Sequence, residues 1–196
     1  MDWLPLTLLS VAAFATTNLD DAFVLLLFFG DRRYRARHVF IGQALGVGLL
    51  VLLSLIGALA ALALPARAIG LLGLLPIAIG VKHLLERRRG QPDEPEAAAP
   101  PGAAGWRQAA AVAGITVANG GDNLGVYVPL FATRSPLETA LILGGFAVML
   151  VMWTFAGYYL ARHSAVAARL QRLSGVVMPW VLIGLGAAII VDSILQ

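Results

Sequence analysis

The chain contains no cysteine. Disulfides, thiolate metal ligands and a cysteine nucleophile are therefore excluded. Charge is scarce as well: Asp, Glu, Lys and Arg make up 13% of the 196 residues, where a soluble domain carries about 25%. Lysine occurs once, at Lys82 after Val81. No G-x-x-x-x-G-K-[ST] phosphate loop is present, which removes the usual basis for ATP hydrolysis.

Apolar residues fill the gap, at 59% of the chain with a mean hydropathy of +0.83. The composition is that of an all-α integral membrane protein, with the lipid bilayer as its first partner. The net charge is +3 and the pI is near 9.8. The basic residues lie between apolar segments, so they read as topology determinants, with no nucleic acid partner. No Lys or Arg precedes the first apolar run, so a cleaved signal peptide is not expected.

Six apolar segments are near or above the ~20 residues of a spanning helix. They run over Leu4–Phe29, Val39–Leu64, Ala68–Leu85, Ala109–Phe131, Thr139–Leu160 and Gly175–Leu195. Between the third and fourth lies "RRRGQPDEPEAAAPPGAAG", rich in Pro, Ala and charge, which reads as a flexible linker. The expected division is a first three-helix repeat over 1–86, a cytoplasmic linker over 87–108 and a second three-helix repeat over 109–196. Twelve of the fourteen basic residues fall in the first, third and fifth connections, with only Arg67 and Arg134 opposite. By the positive-inside rule, both termini are then extracellular or periplasmic.

The two blocks resemble each other. Asn18-Leu-Asp-Asp21 has a counterpart 101 residues later in Asn119-Gly-Gly-Asp122. Pro76 and Pro179 are 103 apart, and Gly57 and Gly157 are 100 apart. Three matches in order point to internal duplication. An odd number of spans per copy gives the repeats inverted topology, an arrangement common among secondary transporters.

Asp20, Asp21 and Asp122 are the carboxylates placed well inside expected spans. Unpaired, three such charges would cost about 8–10 kcal/mol on insertion scales. They must be protonated, paired or bound to a cation, and the single lysine cannot neutralise all three. The expected site is an oxygen cage of Asp20, Asp21, Asp122, Asn123, Asn18 and Asn119, with the three aspartates also the carriers of coupled protons. Two registers remain open: Asp21 matched with Asp122, or Asp20 with Asp122 and Asp21 with Asn123. Helix breaks are expected at Thr17, Gly120 and Gly121, and kinks at Pro76 and Pro179. Polar pairs also glue membrane helices, but three aspartates in matching places exceed what glue requires.

"TTNLDDAFVLLLFF" and "VANGGDNLGVYVPLF" resemble the first- and fourth-helix motifs of the bacterial cadmium resistance transporter family, within the lysine-exporter superfamily. "GLLPIAIGVKHL" and "MPWVLIGLGAAII" resemble its proline-containing third and sixth helices. The resemblance covers nearly the whole chain outside the linker. It implies a six-helix exporter of divalent cations, chiefly Cd²⁺, in the bacterial inner membrane. It also implies that Asp20, Asp21, Asp122 and Asn123 carry the metal site, with no prosthetic group.

Oxygen ligands suit Mn²⁺ or Ca²⁺ better than soft Cd²⁺, and Zn²⁺ is a further candidate. Met149, Met152 and Met178 are the available sulfurs. Moving a dication outward costs about 4.6 kcal/mol at 100 mV, so export needs a driver, and proton antiport supplies one. The alternative function is export of an amino acid or organic cation on the same fold. An enzyme is not expected: an intramembrane aspartyl protease needs G-x-G-D, and the chain has N-G-G-D. Gly42 and Gly46 form G-x-x-x-G, which serves either a homodimer or an internal contact.

Overall fold

The computed structural model describes residues 3–31, 33–63, 71–88, 105–161, 176 and 179–191, apart from the side chains of Trp3, Asp20 and Arg87. The helices among them are α1 (Trp3–Thr17), α2 (Leu19–Gly30), α3 (Ala36–Ala61), α4 (Leu74–Arg88), α5 (Trp106–Asn119), α6 (Gly121–Ala132), α7 (Pro136–Leu160) and α8 (Pro179–Val191). No strand occurs among the described residues.

The surface is unlike that of a soluble bundle, being apolar along its long helices, while several polar side chains are buried. Leu45, Leu49, Leu52, Ile56 and Leu59 form an exposed apolar stripe on α3, while Gln43 and Ser54 of the same helix are buried. On α7, Val148, Val151, Met152 and Phe155 face outward and Thr154 is buried. Apolar side chains outside and polar ones inside suit a hydrocarbon solvent. Helices α3 and α7 are each long and apolar enough to cross a membrane alone. Taken together, α1 and α2 pass the same test, bent by 58° at their junction.

The first and fourth apolar segments are thus each two helices. Thr16 and Thr17 donate their hydroxyls back to Ala12 O at 2.6 Å and Ala13 O at 3.0 Å. The Asn18 amide donates to Phe14 O at 2.9 Å. Such back-bonding competes with the helical ladder and bends it. The second break is at Gly120, where a Cβ would collide with the Leu50 side chain of α3. This glycine is needed for close approach, since its φ of −78° is open to any residue. At Gly121 a Cβ would meet nothing within 4 Å.

Helix α3 lies along α5 and α6, while α1 and α2 lie against α7. The Gly42–Gly46 face is occupied by α5: a Cβ at Gly42 would sit 2.6 Å from Ala109 O, and one at Gly46 2.6 Å from Thr116 Cβ. The close-packing motif therefore serves an internal contact. Helices α4 and α8 approach as closely, with a Cβ at Gly80 falling 2.6 Å from Pro179 O.

Pro76 stands in the first turn of α4, and the described part of α8 begins at Pro179. A first-turn proline interrupts no helical hydrogen bond, so no kink is needed at Pro76. Pro129 of α6 does stand inside a helix. At the edges of the expected linker, Arg88 still belongs to α4, and Trp106, Arg107 and Gln108 already belong to α5. Gln108 is buried because its side chain holds the α2–α3 connection, donating to Arg33 O at 2.7 Å. The rest of the linker lies outside the described residues.

Candidate metal centre

The two helix breaks share a backbone conformation. Asn18 has φ −106° and ψ 10°, and Gly120 has φ −78° and ψ 20°. Each break is followed by a 12-residue helix, α2 or α6. The helix bounds superpose at an offset of 102 residues, which pairs Asp20 with Asp122 and Asp21 with Asn123. Of the two registers open in the sequence, the breaks follow this one.

Polar side chains tie the breaks together. Tyr127 of α6 is fully buried. Its hydroxyl lies 2.8 Å from Thr17 Oγ1 and accepts from Asn18 Nδ2 at 2.9 Å. The Asn123 amide, with its nitrogen set toward acceptors, donates to Thr17 O and Asp122 Oδ1, each at 3.0 Å. The Asn123 backbone amide also donates to Asp122 Oδ1, at 2.9 Å. From α7, the Trp153 indole donates to Asn18 O at 2.8 Å, an oxygen that also accepts from Ala22 N at 3.1 Å. Phe14 and Phe146 pack edge to face at 5.4 Å, and Tyr127 and Phe146 lie 4.7 Å apart, so the knot sits in an aromatic shell. The Asn18 Oδ1, on a residue with 0% exposure, has no hydrogen-bond partner among the described residues.

Asp21 has a different set of neighbours. It is 4% exposed, and its Oδ2 accepts from Gln43 Nε2 of α3 at 2.9 Å. Gln43 Oε1 in turn accepts from the Thr116 hydroxyl of α5 at 2.8 Å. The acid of the first half is thus linked to a helix of the second, and Asn123 of the second half to the end of α1. Asn18 at the bend and Asp21 in α2 meet different partners.

Asp122 is half-buried in the first turn of α6, where the positive end of the helix dipole favours a carboxylate. Asn119 ends α5 and is half-buried. The Asp20 side chain lies outside the described residues. Among those described, no group of three or more His, Asp or Glu side chains gathers. The oxygens at the breaks come instead from amides, hydroxyls and backbone carbonyls beside Asp122, while the Asp21 carboxylate faces Gln43.

Other residues fall away from the centre. Lys82 pairs with Glu86 at 3.6 Å on α4. Met149 packs against the core, Met152 is exposed at 61%, and Met178 lies outside the described residues. Gln43, Thr116 and Tyr127 were not singled out in the sequence. A glutamine or threonine within an apolar run is a weak signal, and only a neighbouring helix shows what it faces.

The family model described as cadmium resistance transporter matches residues 14–195. No curated protein and no solved structure matches the chain. The family match spans the broken α1–α2 pair from Phe14 onward, the whole of α5, α6 and α7, and the described part of α8. With apolar helix faces exposed, several polar side chains buried and a match over nearly its full length, the chain belongs to the cadmium resistance transporter family of membrane proteins.

Proposed function

We propose that the protein is a secondary-active exporter of divalent cations, with Cd²⁺ as the chief cargo, driven by proton antiport. The cation site lies where the two helix breaks meet. Asp20, Asp21, Asp122, Asn123, Asn18 and Asn119 supply its oxygens. The chain crosses the inner membrane six times as two inverted three-helix repeats, with both termini outside.

One observation carries this reading: the Asn18 Oδ1 is buried without a donor, in a knot that also holds Asn123 and Tyr127 beside the Asp122 carboxylate. A buried acceptor left unsatisfied costs about 1–3 kcal/mol. Buried acceptors beside carboxylates are the surroundings that a dication, or protons in its absence, would stabilise. Matched breaks near the middle of apolar segments fit the broken helices on which transporters bind ions.

All-oxygen ligands hold Cd²⁺ less tightly than thiolates would. For a carrier this is useful, because the ion must leave. Metal arriving from one side displaces protons from the carboxylates. Protons from the other side displace the metal. Two inward protons per dication cancel the electrical cost of export.

Two measurements test this. Cd²⁺ should raise the thermal unfolding temperature of the detergent-purified chain, and Asp21→Asn or Asp122→Asn should abolish the rise. Proteoliposomes should acidify the unbuffered medium when Cd²⁺ binds. Stabilisation by a cationic metabolite but by no dication would transfer the function to organic-cation export. Full Cd²⁺ stabilisation in both aspartate variants would remove the proposed site.

A further inference from the structure

At one end of the bundle, a cavity of about 790 Å³ is lined by Arg33, Arg35, Arg37, His38, Trp106 and Gln108, with Gly105 and Ile41 completing its wall. It lies apart from the helix breaks, beside the α2–α3 connection and the start of α5. Such a collection of arginines repels a metal cation, so this is no entry vestibule for the cargo.

Arg33 is occupied: its guanidinium binds the Asp31 carboxylate at 2.6 Å, and that carboxyl is held below its usual range by the contact. Arg35 and Arg37 are exposed and form no salt bridge among the described residues. The remaining walls are held in place. Gln108, 4% exposed, donates to Arg33 O, and its Oε1 accepts from Arg35 N at 3.2 Å and lies 2.9 Å from His38 Nδ1. One buried side chain thus fixes the backbone between two arginines and a histidine ring.

Two helix starts border the same cavity. Arg35 is the N-cap of α3 and Gly105 that of α5. Neither has a capping side chain or an acidic residue in its first turn. Their first amides and dipoles favour a negative charge. Trp106 is 71% exposed on the rim, as an indole at a membrane–water boundary would be.

We propose that this cavity binds the phosphate of an anionic lipid headgroup, with Arg35 and Arg37 as the charged contacts. Basic pockets between membrane helices are suited to such headgroups. Arginine holds phosphate through two parallel N–H donors, which lysine cannot do.

The test uses the full chain in neutral detergent, titrated with phosphatidylglycerol, phosphatidylcholine or inorganic phosphate. Bound lipid is counted by native mass spectrometry and thermal unfolding is followed in parallel. Phosphatidylglycerol should bind and stabilise, and phosphatidylcholine should not. The double variant Arg35→Gln/Arg37→Gln should bind it about thirtyfold more weakly, from the loss of two near-surface charges. Arg35→Lys/Arg37→Lys should retain part of the affinity. Both pairs are exposed, and an unchanged Cd²⁺-dependent stabilisation would confirm that the variants fold. Equal saturation by inorganic phosphate at the same arginines would assign the site to a soluble phosphate and overturn the lipid. Phosphatidylglycerol binding that ignores both arginine substitutions would overturn the site.

Discussion

Gln43 on α3 donates a hydrogen bond to Asp21 on α2 across 2.9 Å, and both side chains are buried. The Thr116 hydroxyl on α5 fixes the other end of the same amide. A carboxylate inside a membrane protein is thereby oriented from two neighbouring helices. Gln43→Leu would keep the bulk and remove both bonds. The expected cost is about 1–3 kcal/mol, from a buried acid and a buried hydroxyl each losing a partner. Thermal unfolding in detergent measures it, and an unchanged midpoint would show that the Gln43 bridge does not matter.

Tyr127 ties the first break to α6. Tyr127→Phe keeps the ring contacts with Phe146 and removes the hydroxyl that meets Thr17 and Asn18. Hydrogen bonds between membrane helices are worth about 0.6 kcal/mol each on average. A loss of about 1–2 kcal/mol is expected, since the Asn18 amide keeps only Phe14 O and Thr17 as partners. Amide exchange at residues 17–22 should quicken. Protection equal to the parent would mean the break is held by other contacts.

Glycines of α3 separate packing from composition. A Cβ at Gly46 would lie 2.6 Å from Thr116 Cβ, whereas one at Gly48 meets nothing within 4 Å. Gly46→Leu should destabilise by at least the ~1–3 kcal/mol typical of overpacking. Gly48→Leu, facing outward on the same helix, should change stability by no more than about 0.5 kcal/mol. Similar losses in both variants would contradict the α3–α5 contact.

Gln108 is a further buried amide with a defined task. Gln108→Leu removes its bonds to Arg33 O, Arg35 N and His38. The α2–α3 connection should then be cut by trypsin at Arg33 or Arg35 several-fold faster than in the parent. Cd²⁺-dependent stabilisation should persist, because the helix breaks are elsewhere. Equal cleavage rates would show that the connection is held without Gln108.

Much of the architecture was visible in the sequence. The stripe Leu45, Leu49, Leu52, Ile56 lies within a long apolar run, and α3 follows it. The expected breaks at Thr17 and Gly120 coincide with the ends of helices, because Thr and Asn side chains next to Asp compete with the ladder wherever they occur. The pairing register was not visible. The motif match favoured 101 residues, whereas the helix bounds follow 102. The backbone bends at Asn18 in one half and at Gly120 in the other, so identical letters do not mark identical positions.

Gln43, Thr116 and Tyr127 were missed for a related reason. One hundred residues beyond Gln43 stands Leu143, so a search for repeated letters passes over the glutamine. Gln43 donates to Asp21, a neighbour 22 residues away in the chain but adjacent across a helix interface.

The sequence alone determined that this chain lives in lipid and carries acids where lipid forbids them. Those are properties of composition and of runs within one helix, and burial of the backbone hydrogen bonds enforces them locally. Only the tertiary structure decided which helices enclose each acid and which amide holds it. Those contacts join α2 to α3 and α5, and α1 to α6. They depend on how closely glycine faces let helices approach, a matter of distance between segments that no local pattern encodes.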